Sequence, residues 1–415
     1  MPDAQAAVAE AFREEWGRVV ASLIRITGDW DLAEECAQDA FAEALRRWPD
    51  DGVPRRPGAW LTTVARNRAL DRLRRTTIET RKLQEATVLS PMTDPTDTDD
   101  GSDIRDDRLR LMFTCCHPAL PLEARVALTL RTLAGLTTAE VARAFLVPEP
   151  TMAKRLVRAK HKIANAAIPY RVPPAHLLPQ RVSGVLAVLY LLFNEGYSAS
   201  MGAEPLREDL CAEAIRLGRA LVWLMPDEQE AAGLLALMLL QHSRRRARFD
   251  SEGEIVTLAD QDRARWDRDE IAEATALLVD VLRDRRVGPY RLQAAIAACH
   301  ADATDAATTD WVEIARLYTR LAKVMPSPVV DLNRAVAVAM ADGPAAGLAL
   351  VEAIADVPPL RDYYLLHATR ADLLRRLSRR PEAAASYRQA LALTGADAER
   401  RFLARRLAEV TGDDA

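Results

Sequence analysis

The segment spanning residues 120–164 constrains the fold most, because its last helix divides into an apolar side and a basic side. When a helix over residues 150–163 is turned by about 100° per residue, a narrow apolar stripe faces away from a cationic stripe. The apolar stripe consists of Met152, Leu156, Ala159 and Ile163. The cationic stripe consists of Thr151, Lys154, Arg155, Arg158 and Lys162. Because residues 150–167 contain no Asp or Glu, this helix can pack through the first stripe and present the second to a DNA major groove.

The residues before this helix predict the rest of a helix-turn-helix. Apolar side chains at helical spacing in residues 122–133 end at Gly135, a residue type that commonly follows a helix. The Thr-Thr-Ala-Glu sequence of residues 137–140 is a capping box that starts a short helix ending near Phe145. Residues 146–148 then form the turn. A cationic surface helix in an ordinary bundle is the alternative, but the three features in this order favour DNA binding.

The composition predicts an all-α protein with several domains. The 415 residues are 49% hydrophobic and 28% charged, which provides ample core for two or three domains. Aromatic residues make up only 5%, and Ala, Leu and Arg dominate, so strands are not expected. The net charge of −4 excludes a generally basic nucleic-acid coat, and DNA affinity must come from local patches.

We expect a cytoplasmic protein without a membrane partner, a metal or another cofactor. The N-terminus lacks the charged and then apolar layout of a signal peptide, and the longest apolar runs, residues 185–193 and 234–240, are too short to span a bilayer. Five cysteines, an odd number, argue against a disulfide framework. Cys115, Cys116 and His117 are adjacent, whereas a compact tetrahedral metal site needs spaced ligands.

Changes in composition divide the chain into four segments. Residues 91–107 contain seven Asp and one Arg, a composition that cannot bury a core. Prolines at positions 169, 173, 174 and 179 mark a second boundary. We therefore expect a helical block at residues 1–90, an acidic linker at 91–112, the helix-turn-helix domain at 113–168 and a helical C-terminal extension at 169–415.

Residues 311–410 show the spacing of small and large residues that is typical of tetratricopeptide repeats. The clearer copy has its hairpin at residues 378–380 and consists of Ala371, Leu374, Ala383, Tyr387 and Ala390. A weaker copy upstream consists of Ala335, Val338, Ala346, Leu350 and Ala353. The copies are about 37 residues apart, against an ideal of roughly 34, so an irregular helical bundle is the alternative.

Two segments of the N-terminal block carry opposite charges. In residues 31–45, one helical face is apolar and consists of Ala33, Cys36, Ala37, Ala40, Phe41 and Ala44. The opposite, acidic face consists of Asp31, Glu34, Glu35 and Gln38, with Asp39 beside them. This face suits a basic partner surface, although a solvated face is the usual explanation. In residues 60–75, Arg68, Arg72 and Arg75 form a basic stripe that no clean apolar stripe opposes.

These segments closely resemble extracytoplasmic-function (ECF) sigma factors. Residues 31–41 and 60–75 resemble region 2 of that family, and residues 133–159 resemble its region 4. Both regions appear in the family's order within residues 1–167. The long tail resembles that of a subgroup with a C-terminal tetratricopeptide-like extension, through motifs at residues 191–197, 241–248 and 260–263.

The resemblance implies a transcription initiation factor that gives bacterial core RNA polymerase its promoter specificity and catalyses no reaction itself. The acidic face of residues 31–39 would dock on core RNA polymerase. The −35 element of the promoter DNA would be bound by Thr151, Lys154, Arg155, Arg158 and Lys162. The −10 element would be bound by Trp60, Asn67, Arg68, Asp71, Arg72, Arg74 and Arg75.

Three interpretations of the tail compete: a regulator that binds a protein, a sensor of a small molecule, or a catalytic domain. The sensor pocket would be lined by Asn194, Glu195, Arg244, Arg245, Asp260 and His300. The sequence shows no hydrolase motif, metal triad or phosphate loop, which disfavours catalysis.

For the arginine run at residues 244–248, we expect ion pairs with nearby acids, and a phosphate contact is the alternative. Those acids are Asp260, Asp262, Asp267 and Asp269.

Two further alternatives stay open from the sequence. The acidic linker is either an RNA mimic that occupies a basic polymerase channel or a soluble spacer. The whole chain is alternatively a DNA-binding activator or repressor with a helical-repeat sensor, or a helical-repeat adaptor that does not bind DNA.

Overall fold

A computed structural model describes residues 4–84, 102–145, 147–197, 208–281, 287–395 and 397–412. Over these ranges the chain is almost entirely helical, which confirms the predicted all-α class. The described ranges contain no sheet, and an isolated β-bridge joins Phe249 to Ile255. The chain divides into two compact units, residues 1–191 and 192–415. None of the described helices combines the length and the hydropathy that crossing a membrane requires.

The first unit begins with three long helices that pack around aromatic side chains. Its helices are α1 (Ala4–Thr27), α2 (Trp30–Asp51), α3 (Pro57–Gln84), α4 (Ser102–Cys115), α5 (Leu122–Leu128), α6 (Thr138–Ala144) and α7 (Glu149–Asn165). A π-helical turn, Thr129–Leu133, continues α5, and α8 (Leu178–Tyr197) extends past the unit boundary. The ring of Phe12 lies 4.9 Å from that of Trp16 and 5.0 Å from that of Phe41. All six residues predicted for the apolar face of α2 are buried.

Helix α4 corrects the predicted extent of the acidic linker. The sequence predicts a linker up to residue 112, whereas α4 begins at Ser102. Asp107 is fully buried, and its carboxylate lies 2.8 Å from both Arg25 Nε and Arg110 Nη1. An Asp that is paired in this way belongs to a core, because the two cations offset the cost of removing the charge from water. Composition alone does not reveal such pairing.

The burial of Asp107 also bears on the RNA-mimic hypothesis. Four of the seven Asp in the expected linker lie in residues 91–101, outside the described residues. Asp107 itself is held inside the first unit, where Tyr170 also donates a hydrogen bond to its carbonyl at 3.1 Å. In this arrangement Asp107 is not available to a polymerase channel.

The second unit is a succession of helices joined by short connections. They are α9 (Glu208–Leu224), α10 (Gln229–His242), α11 (Arg268–Val281), α12 (Pro289–Asp302), α13 (Trp311–Val324), α14 (Pro328–Ala341), α15 (Pro344–Ile354), α16 (Pro358–Arg361), α17 (Tyr364–Arg376), α18 (Arg380–Leu393) and α19 (Asp397–Thr411). Two 3₁₀ turns, Arg245–Ala247 and Arg263–Arg265, lie between α10 and α11. This long connection contains three of the residues predicted to line the sensor pocket, Arg244, Arg245 and Asp260.

Helices α17 and α18 form the hairpin predicted at residues 378–380. Ser378 adopts a φ of +62° at this turn. All five residues of the clearer repeat copy are buried in one core. In the weaker copy Ala335 is buried, but Ala353 is exposed, so that copy matches the buried pattern only in part.

We expect Asp107→Asn to loosen the contact between α1 and α4, because Asn keeps the shape but loses the charge that Arg25 and Arg110 meet. The lost charge-assisted hydrogen bonds correspond to about 2 kcal/mol. Amide hydrogens of both helices should then exchange about 30-fold faster in deuterium-exchange mass spectrometry. Asp50→Asn, at an exposed position of α2, should leave this exchange unchanged. Equal exchange in the two variants would show that the buried carboxylate does not hold the helices together.

Candidate nucleic-acid interface

Helix α7 has the two sides that the sequence predicts. Its apolar stripe is buried, with 0% exposure at Met152 and no more than 5% at the other three residues. Four of the five residues predicted to bind the −35 element are exposed: Thr151, Lys154, Arg158 and Lys162. The fifth, Arg155, is half-buried, and its Nη1 lies 3.3 Å from a carboxylate oxygen of Glu123. An exposed cationic surface therefore runs along about three turns of α7.

Local bonds fix the chain that leads into α7. The carboxylate of Glu140 accepts the N–H of Thr137 at 2.7 Å, and the N–H of Glu140 donates to the Thr137 hydroxyl at 3.2 Å. This is the predicted capping box. Gly135 has a φ of +78°, and a Cβ there would lie 2.8 Å from the Trp16 ring. Glycine is therefore required where the helix-turn-helix segment approaches α1.

Helix α3 exposes four of the seven residues predicted to bind the −10 element. They share one side of the helix, at spacings of four, three and one: Asn67, Asp71, Arg74 and Arg75. At the start of α3, Trp60 is half-buried and packs edge-on against Trp48, with ring centroids 5.6 Å apart. The exposed side of α3 thus keeps polar and cationic groups together on a well-anchored helix.

Arg68 and Arg72, the two other predicted arginines of α3, turn toward α2. Arg68 Nη2 lies 2.8 Å from the Glu43 carboxylate. Arg72 lies 3.0 Å from Asp39 and 2.5 Å from Glu35, and the hydrogen bond to Glu35 raises the pKa of Arg72. These half-exposed pairs contribute no more than about 1 kcal/mol each. Together they orient α3 against α2.

The predicted acidic face of α2 is only partly exposed. The side chains of Asp31 and Glu35 are 84% and 61% exposed, and Gln38 is also exposed. Asp39 is half-exposed beside Arg72. Glu34 departs from the prediction, because only 6% of it is exposed.

Two cations from the helix-turn-helix segment cover Glu34. Arg131 Nη2 lies 3.1 Å from its carboxylate, and Lys160 Nζ lies 3.0 Å from it. Lys160 Nζ is also 2.7 Å from Asp31. We call Glu34, Arg131 and Lys160 the Glu34 cluster. Sequence reasoning missed it because Lys160 falls between the two stripes of α7; its place beside the buried Ala159 was the available signal.

The arginine run of the second unit pairs with fewer acids than the sequence predicts. Arg245 lies 3.0 Å from Asp267, as expected, and 3.0 Å from Glu270. The carboxylates of Asp260 and Asp262 instead accept hydrogen bonds from neighbours two or three residues away. Local turns therefore use acids that the sequence assigns to the arginines.

Of the residues predicted to line a sensor pocket, Arg244 and His300 lie within electrostatic range of each other. Burial, together with Arg244 and Arg263, lowers the pKa of His300 to about 4. The imidazole is therefore neutral at pH 7. Its ring lies 5.1 Å from that of Trp311, and its buried Nδ1 has no hydrogen-bond partner in the described part of the chain.

The described residues contain no group of three or more His, Cys, Asp or Glu side chains that could hold a metal. Cys115 and Cys116 are buried, and burial raises the pKa of the Cys116 thiol to about 12. Since only the thiolate binds metals or reacts readily, this cysteine is inert at pH 7. The neighbouring His117 bonds through Nε2 to Arg181 at 2.8 Å.

Comparison with protein families matches both parts of the candidate interface. Residues 12–78 match Sigma-70 region 2, the range that contains α2 and most of α3. Residues 110–163 match Sigma-70, region 4, which contains α6 and most of α7. Residues 181–282 match a family of unknown function, DUF6596.

Comparison with individual proteins gives relatives of two kinds. The chain is 46% identical over 402 residues to an uncharacterized protein of Rhizobium meliloti, an alignment that covers 96% of this chain and 94% of that protein. It is 30% identical over 165 residues to the ECF RNA polymerase sigma factor SigK of Mycobacterium tuberculosis, covering 39% of this chain and 86% of SigK. SigK of Mycobacterium bovis matches to the same extent. No solved structure matches the chain.

The low pKa of His300 predicts a specific loss of stability in acid. Because the fold keeps the imidazole neutral down to pH about 4, protonation favours the unfolded chain as the pH falls from 6.5. This contribution is fully present above pH 6.5 and amounts to about 3 kcal/mol. In urea unfolding at pH ~7.5 and ~4.5, His300→Gln should therefore lose less stability than the wild type. The exposed control His161→Gln should behave like the wild type, and an equal acid response of all three proteins would contradict the assignment.

Proposed function

Since the chain belongs to the sigma-70 family of sigma factors, we propose that it acts as an ECF factor that brings bacterial core RNA polymerase to promoters through both the −35 and −10 elements. The observation that carries this proposal is the exposed cationic side of α7, which is presented on a packed helix-turn-helix. Phosphate contacts position a protein on DNA, and contacts with base edges provide sequence specificity. The surface of α7 has residues suited to both.

In region 4, three exposed cations lie one turn apart on α7. Lys154, Arg158 and Lys162 follow one another at intervals of four residues, so they form a row that can track a DNA backbone or groove. Thr151 lies at the N-terminal end of the same row, where a recognition helix enters the major groove. Arg155 joins them once it releases Glu123, a weak and exposed pairing.

In region 2, the −10 element would meet the exposed side of α3. Asn67, Asp71, Arg74 and Arg75 offer donors, one acceptor carboxylate and two cations to an opened strand. Opening a promoter requires at least one base to leave the stack. Groups of this kind can hold that base by hydrogen bonds and its backbone by phosphate contacts. Arg68 and Arg72 contribute by fixing α3 against α2 rather than by binding DNA directly.

Transcription with purified components tests this function. The full chain and core polymerase, given fragments of the source genome, should produce transcripts with discrete 5′ ends. Lys154→Glu combined with Arg158→Glu should reduce these transcripts by at least about ten-fold, because reversed charges repel the phosphates. Arg388→Glu, which reverses an exposed charge on α18, should have no such effect. Initiation that requires a second sigma factor would instead support an activator or repressor.

We further propose that docking on core polymerase requires the Glu34 cluster to open. The acidic face of α2 is the predicted polymerase surface, and Lys160 bridges two of its members, Asp31 and Glu34. A polymerase helix with basic groups would have to replace Lys160 and Arg131 as their partners. The closed arrangement therefore lowers the apparent affinity for polymerase by the fraction of molecules that are open.

Lys160→Ala should consequently bind core polymerase at least about five-fold more tightly than the wild type. Loss of one cation from this buried cluster destabilises the closed arrangement by at least about 1 kcal/mol, which is at least about five-fold in the open fraction. Fluorescence anisotropy with labelled protein and no DNA measures this affinity. Lys162→Ala removes an exposed lysine from the same helix and should leave the affinity unchanged. Weaker binding by Lys160→Ala would mean that Lys160 supports the polymerase-binding form.

For the tail, we propose a regulatory helical domain of tetratricopeptide-like hairpins. The hairpin of α17 and α18, with all five of its repeat residues buried, supports this interpretation. Stacked helical hairpins present extended surfaces that bind other molecules. Residues 181–282 match a family of unknown function, so the chemical class of the tail's ligand has to be inferred from the side chains of the tail.

A further inference from the structure

Three arginines of the second unit lie close together without a carboxylate partner. Arg244, Arg248 and Arg263 form no ion pair in the described residues, although acids occur throughout this part of the sequence. Two of them lie over one aromatic ring: the guanidinium carbons of Arg244 and Arg263 lie 5.8 Å and 4.9 Å from the ring centroid of Trp266. Partly buried cations are usually paired, so this cluster requires an explanation.

Tyr197 holds Arg244 and Arg248 in place. The guanidinium of Arg248 stacks 3.8 Å from the centroid of the Tyr197 ring and also donates to the Tyr197 carbonyl. Arg244 Nη2 donates to the Tyr197 hydroxyl at 2.8 Å. Phe193 supports the tyrosine, since its ring stacks with that of Tyr197 at 5.5 Å. Both guanidinium groups are therefore oriented before any ligand arrives, which reduces the entropic cost of binding.

Each of these two arginines keeps hydrogen-bond donors free. A guanidinium group has five N–H donors, on Nε and the two Nη atoms. Arg248 uses one Nη atom for Tyr197, and Arg244 uses one for Tyr197 and Gln241. Their remaining side-chain nitrogens bond to no other group of the described residues. Both side chains are half-buried, so they are reachable from solvent but are poorly hydrated.

Arg263 adds positive charge and uses three of its five N–H donors within the protein. It is 7% exposed, and it donates to the carbonyls of His300 and Ala303 and, at 3.2 Å, to the Thr309 hydroxyl. These neutral acceptors hold the guanidinium group in place but do not cancel its charge. The pKa of His300 is consistent with this uncancelled charge. Burial has the largest effect, and the charges of Arg244 and Arg263 add to it, so that the pKa of His300 is lowered to about 4.

The nearest acids do not neutralise the cluster. Asp267 is engaged with Arg245, and Asp260 and Asp262 accept hydrogen bonds within their own turns. Asp305 and Glu399 act on Arg263 and Arg248 only at longer range, with no ion pair formed. Burial lowers the pKa of Arg248, and Arg244 lowers it further. The protein therefore maintains adjacent positive charges that a bound anion would stabilise.

We propose that Arg244 and Arg248, held by Tyr197, form a binding site for an oxyanion, the phosphate or carboxylate group of a small molecule. Planar guanidinium forks match the oxygen geometry of both groups and bind them through paired hydrogen bonds. The charge of Arg263 raises the local electrostatic potential further. This site goes beyond promoter recognition, and it gives the tail a ligand class that does not depend on how regions 2 and 4 act.

Calorimetric titration of the full chain, without DNA or polymerase, tests the site. At constant ionic strength, inorganic phosphate or acetate should bind saturably with one site per chain, and chloride should not. Whichever oxyanion binds more tightly identifies the preferred group. Arg244→Gln and Arg248→Gln should each weaken this binding by at least about ten-fold, the loss expected for charge-assisted hydrogen bonds. Arg246→Gln removes an exposed arginine of the same run and should change the affinity less than about two-fold.

Two milder variants keep the test decisive if a glutamine variant fails to fold. Tyr197→Phe removes the hydroxyl that positions Arg244, and Arg248→Lys keeps the charge but loses the planar fork. Each should weaken binding several-fold while the circular dichroism spectrum stays that of the wild type. Absence of saturable binding to either oxyanion would overturn the proposal. An equal loss in Arg246→Gln would also overturn it, because that result indicates general charge attraction rather than this site. Because neither DNA nor polymerase is present, these results are independent of the transcription test.

Discussion

The organisation of the first unit depends on a buried carboxylate, Glu34, and on the two cations that make its burial tolerable. An isolated carboxylate in a protein interior would be protonated or would unfold its surroundings. Arg131 and Lys160 supply the compensating charge, and they come from the π-helical turn and from α7 rather than from region 2 itself. Region 4 therefore completes the packing of a region 2 helix, and a region 2 acid fixes part of region 4.

These ion pairs between the two regions give α7 three distinct sides. The apolar stripe packs inside region 4, Lys160 points to α2, and three of the four cations in the cationic stripe face solvent. The packing against α2 uses the single lysine that lies outside both stripes, so it leaves the proposed DNA surface uncovered. Within the acidic face proposed for polymerase, it covers Glu34 and leaves Asp31, Glu35 and Gln38 exposed. If polymerase binds this face as we propose, polymerase rather than DNA would compete with the closed form.

The sequence predicts the features that local rules determine. The stripes of α7 follow from helical periodicity, and the capping box follows from a four-residue pattern. The pairings that bury Glu34 and Asp107, and those that turn Arg68 and Arg72 inward, connect residues far apart along the chain. Charge patterns cannot distinguish a solvated acid from one that a distant cation covers. The acids near residue 260 show the converse. Their proximity to the arginines in sequence suggests ion pairs, but their carboxylates accept hydrogen bonds within local turns instead.

Two sets of buried charges, one in each unit, are surrounded in opposite ways. In the first unit, Glu34 and Asp107 each receive two cations from other helices, so the charges balance within the protein and opening the unit exposes them. In the second unit, aromatic rings and neutral oxygens surround Arg244, Arg248 and Arg263, and none of the three forms an ion pair with an acid of the described residues. Aromatic faces and carbonyls hold guanidinium groups in position without neutralising them. A site built in this way gains most from an anion that arrives from solution, and its occupancy then depends on the concentration of that anion.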